Sequence, residues 1–496
     1  MTRAKKLFLN TTTSLIYQFV VVVCGFILPR FFLIYYGTEV NGLVASITQF
    51  LGFIMLAECG VGAVVQSALY KPLAEKNDLE ISKIIISAER FFRKIAMILV
   101  GYTVILMIVY PFITLKSFNY FYTLSLIFVI SISSFAQYFF AMPYRLLLFA
   151  DQMAFVPLII NTVTIVLNTV FCILLMKIGA DVQIVKLLTS SLFLIQPVVL
   201  SYIVKKRYNI NKKIMFQGEP IKQKWNGLAQ HIASVVLTNT DSVVLTIFST
   251  LENVSIYTVY NLVVCGVRTI VSAITEGMQS MLGNMYARKE KENLENAFSK
   301  IEWLLHMITV FFFTCTAILI IPFVKVYTAN VTDANYIVPF FAVLIVAANA
   351  AYCLRLPYNM MVLAAGHYRQ TQMSAIMEAV INLGLSIILV MKFGLIGVAI
   401  GTLIAMMFRT IYLAWYLSNN ILYRRLSCFV KHIVVDVICV TTCVFATKIF
   451  VIDAVDYFSW VILAVKIGMI CLVIVGSINF IFYKDKMKSE LNRIRK

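Results

Sequence analysis

The chain has 496 residues, of which 61% are hydrophobic and 13% charged, against about 45–50% and about 25% in a soluble domain. That balance excludes a soluble globular protein and points to an integral membrane protein. The formal net charge of +19 is spread over the loops between apolar runs, so it reads as a topology signal and excludes nucleic acid as a partner.

The N-terminal Met1–Lys6 is basic, but the apolar run after it is too long for the core of a cleavable signal. No small-residue cleavage site follows, so this run is expected to remain as the first span. A helix needs roughly 20 apolar residues to cross a bilayer. Fourteen runs qualify: 11–36, 42–69, 95–115, 119–142, 154–176, 184–204, 228–250, 254–282, 303–324, 336–364, 372–391, 394–417, 432–452 and 458–482. The loops between them alternate sides. One set of loops carries 31 basic residues and the other 6. The positive-inside rule then assigns the first set, and both termini, to the cytoplasm. The basic clusters Lys205–Lys224 and Lys484–Lys496 are also placed to meet the headgroups of membrane lipids. The outer loops are short, the longest being Lys325–Tyr336, which leaves no room for an external catalytic domain. A transporter rather than an enzyme is expected. The ten cysteines are scattered, with no CxxC pair and no metal-ligand spacing to the four histidines. They are expected to be reduced packing residues. No Walker motif, nucleotide loop, HExxH or nucleophile elbow occurs, so no cofactor is expected.

The chain also repeats itself. Pro143-Tyr144 recurs as Pro357-Tyr358, 214 residues later. Met176-Lys177-x-Gly179 recurs as Met391-Lys392-x-Gly394, and Glu75-Lys76-Asn77-Asp78-Leu79-Glu80 as Glu290-Lys291-Glu292-Asn293-Leu294-Glu295, both 215 residues later. Three collinear matches predict a duplicated unit of six spans. An even number of spans puts both copies the same way up, so the expected symmetry is a pseudo-two-fold axis along the membrane normal. The predicted fold is an all-α polytopic membrane protein of about 14 transmembrane helices: two six-helix lobes, plus two C-terminal helices. Residues 1–210 form the N-terminal lobe and 211–420 the C-terminal lobe, joined through Lys205–Trp225, while 421–496 hold the extra helices and a basic cytoplasmic tail.

A charge at the bilayer centre costs about 2.5–3.5 kcal/mol, so deep charges mark a cavity or a partner. Five basic residues fall inside spans: Arg30, Arg268, Arg355, Arg409 and Lys466. Arg409 and Lys466 are close enough to span ends to snorkel. Arg30 follows Pro29, a helix-kinking residue, and reads as a cavity wall or a snorkelling residue. Arg268 is too deep to reach water along its helix. Its face carries Ser272 and Glu276, so the alternative to a binding role is an ion pair with Glu276 or Glu58. Arg355 precedes the repeated Pro357. The deep acidic residues singled out are Glu58, Asp241 and Glu276, of which Glu58 sits among Gly60 and Gly62. His231, Ser234, Thr238 and Asp241 form a polar stripe that must face protein or water. His231 by itself reads as a near-surface residue, and Asn168 and Asn382 as interhelical hydrogen-bond residues. A guanidinium fork matches phosphate oxygens, and a desolvated carboxylate can take a proton. The set therefore suits an anionic head group with H+ or Na+ as the candidate coupling ion, although arginine–carboxylate pairing explains the same residues. At an offset of 215, Arg30 maps to Leu245 and Glu58 to Ala273. The scaffold is duplicated and the charges are not.

With Asn10-Thr11-Thr12-Thr13 and Gln18 leading into Pro29-Arg30 and then Gly37-x-x-x-Asn41-Gly42, the chain resembles the Wzx-type polysaccharide repeat-unit flippases. These form a branch of the multidrug/oligosaccharidyl-lipid/polysaccharide exporter (MOP) superfamily. The resemblance covers essentially the whole chain and is firmer at the superfamily than at the branch. It implies a flippase of the bacterial cytoplasmic membrane that moves undecaprenyl-pyrophosphate-linked oligosaccharide from inner to outer leaflet, for capsule, O-antigen or a related polymer. It also implies a polysaccharide polymerase and chain-length machinery as partners. The neighbouring lipid II flippases carry cavity arginines on helices one and eight, where Arg30 and Arg268 fall here. On this reading Arg30, Arg268 and Arg355 hold the pyrophosphate, and Ser234 and Thr238 meet sugar hydroxyls. Glu58, Asp241 or Glu276 balance charge or couple the ion. The alternatives are a lipid II-type flippase and a multidrug/cation antiporter on the same fold.

Overall fold

A computed structural model describes residues 3–58, 61–211, 214, 228–275, 278–448, 454 and 456–487. The described residues form helices and no strands, as apolar segments must when no water is present to satisfy the backbone. Two compact units divide the chain, Met1–Asn239 and Thr240–Lys496.

The first unit holds α1 (Arg3–Gly52), α2 (Met55–Glu58), α3 (Val61–Glu75), α4 (Asp78–Thr114), α5 (Tyr120–Ala136), a π-helical turn Gln137–Ala141, α6 (Met142–Ala150), α7 (Phe155–Lys177) and α8 (Val182–Arg207). The division falls inside α9 (Leu228–Phe248). The second unit continues with α10 (Leu251–Ile274), α11 (Met278–Ala287), α12 (Lys291–Tyr327), α13 (Pro339–Leu354), α14 (Leu356–Ala364), α15 (Tyr368–Phe393) and α16 (Leu395–Asn420). Two further helices close it, α17 (Ser427–Thr447) and α18 (Tyr457–Phe482).

Among the described residues, twelve helical runs are long and apolar enough to cross a membrane, as a multi-pass membrane protein requires. The first, Phe8–Gly52, has 45 residues, which at about 1.5 Å per residue is roughly twice the ~30 Å hydrocarbon core. Gly37 divides it. Its φ of 81° and ψ of 176° break the helix into two arms, in a conformation essentially reserved for glycine. Counting both arms and the shorter apolar helix Ile232–Phe248 gives the fourteen passes that the sequence predicts. The predicted span 42–69 is itself interrupted at Phe53 and Ile54, which form a turn between α1 and α2. There the Tyr102 hydroxyl on α4 donates to the Phe50 carbonyl at 2.8 Å and takes up an acceptor near the break.

The duplication is written into the backbone. Lys76 and Lys289 have φ of 53° and 58°, Gln152 and Gly366 58° and 77°, and Gly179 and Gly394 78° and 53°. Each pair ends equivalent helices with a left-handed residue, near the offset of the sequence repeat. Pro143 and Pro357 both start short helices, α6 and α14, just after a broken span. Behind each proline a tyrosine reaches the same partner type: the Tyr144 hydroxyl donates to Glu89 Oε1 and the Tyr358 hydroxyl to Glu302 Oε1, both at 2.8 Å.

In the first unit the N-terminal segment is tied down at Asp151. Lys6 Nζ donates to Asp151 Oδ1 at 3.0 Å and the Tyr208 hydroxyl donates to Oδ2 at 2.6 Å. Burial, then the bond to Asp151, pushes the Tyr208 phenol well above its usual range. In the second unit α15 and α16 form a hairpin in which the backbones touch. A Cβ on Gly397 would lie 2.3 Å from the Leu389 carbonyl oxygen, and one on Gly401 2.7 Å from Ser386 Oγ. That approach, of the small-residue type common between membrane helices, sets the register of the polar residues described next. The C-terminal pair packs on α12 through Trp303, Val310, Cys439, Cys443, Ile467 and Cys471. The described cysteines are free thiols.

Candidate functional site

Two polar clusters in the second unit hold residues that the sequence singles out. The first grows from the break in its tenth span. Pro357 has no N–H to continue the helix, so α13 ends at Leu354 and α14 begins at Leu356. Thr410 Oγ1 on α16 donates to the Ala351 carbonyl near that break, at 2.8 Å. Arg355 sits between the two helices and is buried. Its Nη1 donates to Glu378 Oε1 on α15, and Arg409 Nη1 on α16 donates to Glu378 Oε2 at 2.7 Å. Glu378 is 1% exposed, so two guanidiniums share one fully buried carboxylate. A third arginine joins through an aromatic ring. The Cζ of Arg355 lies 4.4 Å and that of Arg268 4.9 Å from the centre of the Tyr352 ring, within cation–π range. Arg268 is half-buried on α10 and has no carboxylate partner among the described residues. Among the described residues, three guanidiniums and one carboxylate leave two positive charges in excess. Such an excess suits an anion with two or more charges and repels a cation.

The second cluster surrounds Asp241, which is buried on α9. Tyr257 donates to its Oδ2 at 3.0 Å, Asn382 Nδ2 to its Oδ1 at 3.3 Å, and Thr402 Oγ1 lies 2.9–3.0 Å from both oxygens. Asn382 also donates to Thr402 at 2.9 Å. All these donors are neutral. The Asn382 carbonyl oxygen and, one turn on, the Ser386 hydroxyl are buried with no hydrogen-bond partner among the described residues. The donor set is therefore a carboxylate, an amide oxygen and hydroxyls, with acceptor capacity left over. Oxygen-only sets of this kind take a hard cation or a proton. No group of three or more His, Cys, Asp or Glu able to hold a metal ion occurs among the described residues.

The residues singled out from sequence distribute as follows. Arg268 and Arg355 meet on Tyr352. Asp241 heads the second cluster, with Asn382 as one of its donors. Arg30 is half-buried on α1 in the first unit. Ser234 and Thr238 are exposed on α9, Thr238 donating back to the Ser234 carbonyl at 2.8 Å. Glu58 ends α2 and His231 lies in α9, but both side chains, like all of Glu276, lie outside the described residues. Arg409 differs from expectation. It does not extend towards a span end, because Glu378 on the neighbouring helix binds it. Glu378 and Tyr352 were not singled out from sequence. For Glu378 the signal was present, since it lies within the apolar run 372–391.

No family model and no curated protein matches the sequence. Solved structures do match. The lipid II flippase MurJ in an inward closed conformation has a TM-score of 0.69 at 15% identity, covering 97% of this chain and 100% of that one. An inward-facing multidrug resistance MATE family transporter of the MOP superfamily has a TM-score of 0.59 at 15% identity, covering 81% and 95%. The Vibrio cholerae MATE transporter VcmN in its bent form has a TM-score of 0.54 at 14% identity, covering 85% and 98%. The chain thus has the two-lobed transporter fold shared by MurJ and the MATE proteins.

Proposed function

We propose that the protein is a flippase that carries an undecaprenyl-pyrophosphate-linked polysaccharide repeat unit from the inner to the outer leaflet by alternating access, in a bacterial cytoplasmic membrane with both termini inside. The observation that carries this reading is the excess of guanidinium charge around Tyr352 and Glu378. A pyrophosphate supplies the negative charge that one carboxylate does not. Arg268, the arginine without a carboxylate among the described residues, makes the first contact, and Arg355 exchanges part of its bond to Glu378 for phosphate oxygens. Arg30 contributes a further guanidinium, and the exposed hydroxyls of Ser234 and Thr238 meet sugar. Asp241 binds the coupling H+ or Na+, whose other ligands are the Asn382 oxygen and the Thr402 hydroxyl. Glu58 and Glu276 are kept as charge-balancing residues of the same pathway. The polymerase and chain-length machinery receive the product.

The test is polymer export. Arg268→Ala is expected to abolish it while the protein remains in the membrane at normal level, and full export by that variant would overturn the role. Asp241→Asn is expected to remove the dependence of export on the Na+ or H+ gradient. A lipid II cargo is the second reading. Its support is that the likeness to MurJ runs over 97% of the chain, against 81% and 85% for the two MATE structures. Deletion separates the two: loss of a surface polymer with normal wall growth supports the first, and arrest of wall growth the second. A cation antiporter would have to carry its cargo at the Asp241 cluster alone, because the guanidinium excess around Tyr352 repels a cation.

A further inference from the structure

Three hydrogen-bond contacts run in series through the second unit. Asp436 Oδ2 on α17 lies 2.6 Å from His306 Nδ1 on α12. His306 Nε2 lies 3.0 Å from the Tyr358 hydroxyl on α14. That hydroxyl lies 2.8 Å from Glu302 Oε1 on α12. Each contact needs a hydrogen between its two heavy atoms, since lone pairs facing each other at these distances repel. A neutral imidazole brings one hydrogen and a phenol one, and ionised carboxylates bring none. Three contacts therefore have two hydrogens to share. We infer that the series Asp436–His306–Tyr358–Glu302 is a proton-binding site, holding one proton that fastens α17 to α12 and α14.

The count does not depend on where the proton sits, on His306, on Asp436 or elsewhere in the series, so it is independent of the tautomer assigned. The surrounding groups support it. Glu302 and His306 are 0% and 1% exposed, so water does not complete the contacts. Arg424 binds Glu302 through both terminal nitrogens, one of them at 2.7 Å, and neutralises it. His432 needs no further proton: its Nδ1 lies 2.9 Å from the Tyr483 hydroxyl, which supplies the hydrogen, and its Nε2 faces Glu302 Oε2 at 3.6 Å. Lys486 donates to the Ser299 carbonyl at 3.1 Å and hydroxyl at 2.7 Å, and Lys431 lies over the Tyr483 ring at 4.9 Å. Within the series, Glu302 and Arg424 cancel, and Asp436 is left with the bound proton. The site is neutral when loaded and carries an uncompensated buried charge when empty, a state that proteins avoid.

The first unit shows what the site adds. Tyr144 donates to Glu89 at 2.8 Å, and Arg93 stands one turn after Glu89 where His306 stands after Glu302. An arginine stays charged and brings its own hydrogens, so the position that His306 fills in the second unit holds no exchangeable proton in the first. Release of the proton from the second unit leaves one of its three contacts without a hydrogen, and the hold of α17 on the bundle weakens.

The test is spectroscopic, on full-length protein in lipid nanodiscs. Histidine-selective 15N spectra, with His306 assigned by its loss in H306Q, are combined with carboxyl infrared difference spectra from pH 5.5 to 9. The expected result at the acidic end is either a doubly protonated His306 ring or a protonated carboxyl band that disappears in D436N. A neutral His306 with no such band at any pH overturns the inference, using wild-type protein alone. Asp436→Asn adds a second arm. Its amide donates to Nδ1 and completes all three contacts without a proton. The thermal midpoint of wild type is expected to fall as pH rises through proton release, with the unfolding constant changing by up to about tenfold per pH unit. D436N is expected to lack that component, and identical pH profiles would overturn the coupling of the proton to helix packing.

Discussion

Where the second unit places Asp241, Arg355 and Glu378, the first unit has Ile27, Ala141 and Thr164 at an offset of 214. The neutral part of the same framework is retained. Asn168, Cys172 and Thr189 bond to one another at 3.3 Å on α7 and α8, and Asn382, Ser386 and Thr402 stand 214, 214 and 213 residues further on, on α15 and α16. Left-handed residues and prolines stop equivalent helices at equivalent points in both units. Duplication has therefore kept the backbone and left the burial of charge free to differ. A buried ion pair is seldom worth more than the apolar residues that could replace it. Ile27 and Thr164 show that this fold does without charge at two of these places. The charged clusters are thus better explained by ligand chemistry than by stability.

The largest expected contrast is at Glu378. Glu378→Ala leaves Arg355 and Arg409 buried without a carboxylate and should cost about 3–5 kcal/mol. Thr164→Ala, at the matching place, removes only a hydroxyl that bonds its own helix at 2.8 Å and should cost about 1 kcal/mol or less. Unfolding of the two variants in lipid, followed by denaturant midpoint, measures the difference. Similar losses would mean that the first unit hides a comparable cluster, and the asymmetry would fail.

A smaller contrast separates the two Tyr–Glu pairs. Glu302→Gln disturbs Arg424, Tyr358 and the proton-binding series together, and about 2–3 kcal/mol is expected. Glu89 meets Tyr144 at 2.8 Å and Arg93 at 3.6 Å, with the Arg93 side chain half exposed. An exposed ion pair contributes little, and a glutamine oxygen can still accept from Tyr144, so Glu89→Gln should cost less than Glu302→Gln, about 1 kcal/mol. The same denaturant measurement orders the pair. A larger loss at Glu89 would place the anchoring role of this motif in the wrong unit.

What the sequence made legible follows from how far each signal reaches along the chain. The spans and the end of the first one near Gly37 are local patterns, visible within some 20 residues, and the repeat needs only matching short segments at one offset; the structure shows all three. Asp241, Arg268 and Arg355 stood out because each interrupts an apolar run. Glu378, Glu302, His306 and Asp436 interrupt or border such runs too, so the same rule marks them. Their partners were not reachable. Arg409 lies 31 residues from Glu378, Arg424 122 from Glu302, and Asp436 130 from His306. No periodicity in one helix says which neighbour will face it, so Arg409 was read as a residue seeking water.

The smallest effect probes the part of the comparison that should hold. Gln152 and Gly366 end equivalent helices at φ of 58° and 77°, but only one of them is glycine. A side chain costs roughly 1–2 kcal/mol in this conformation, while glycine gives back part of that through the freedom it gains in the unfolded chain, about 0.5–1 kcal/mol. Gln152→Gly should therefore stabilise by about 0.5 kcal/mol, and Gly366→Ala should destabilise by a similar amount, there being no neighbour within 4 Å of a Cβ at Gly366 to add a clash. The Gln152 carbonyl, which accepts from Asn10 Nδ2 at 3.0 Å, survives the first change, so the tie to α1 does not confuse the reading. Opposite shifts of like size in denaturant midpoint mean that both units use one turn, set by one backbone angle. Two destabilising shifts would mean that the Gln152 side chain does something in the first unit that Gly366 does not need in the second.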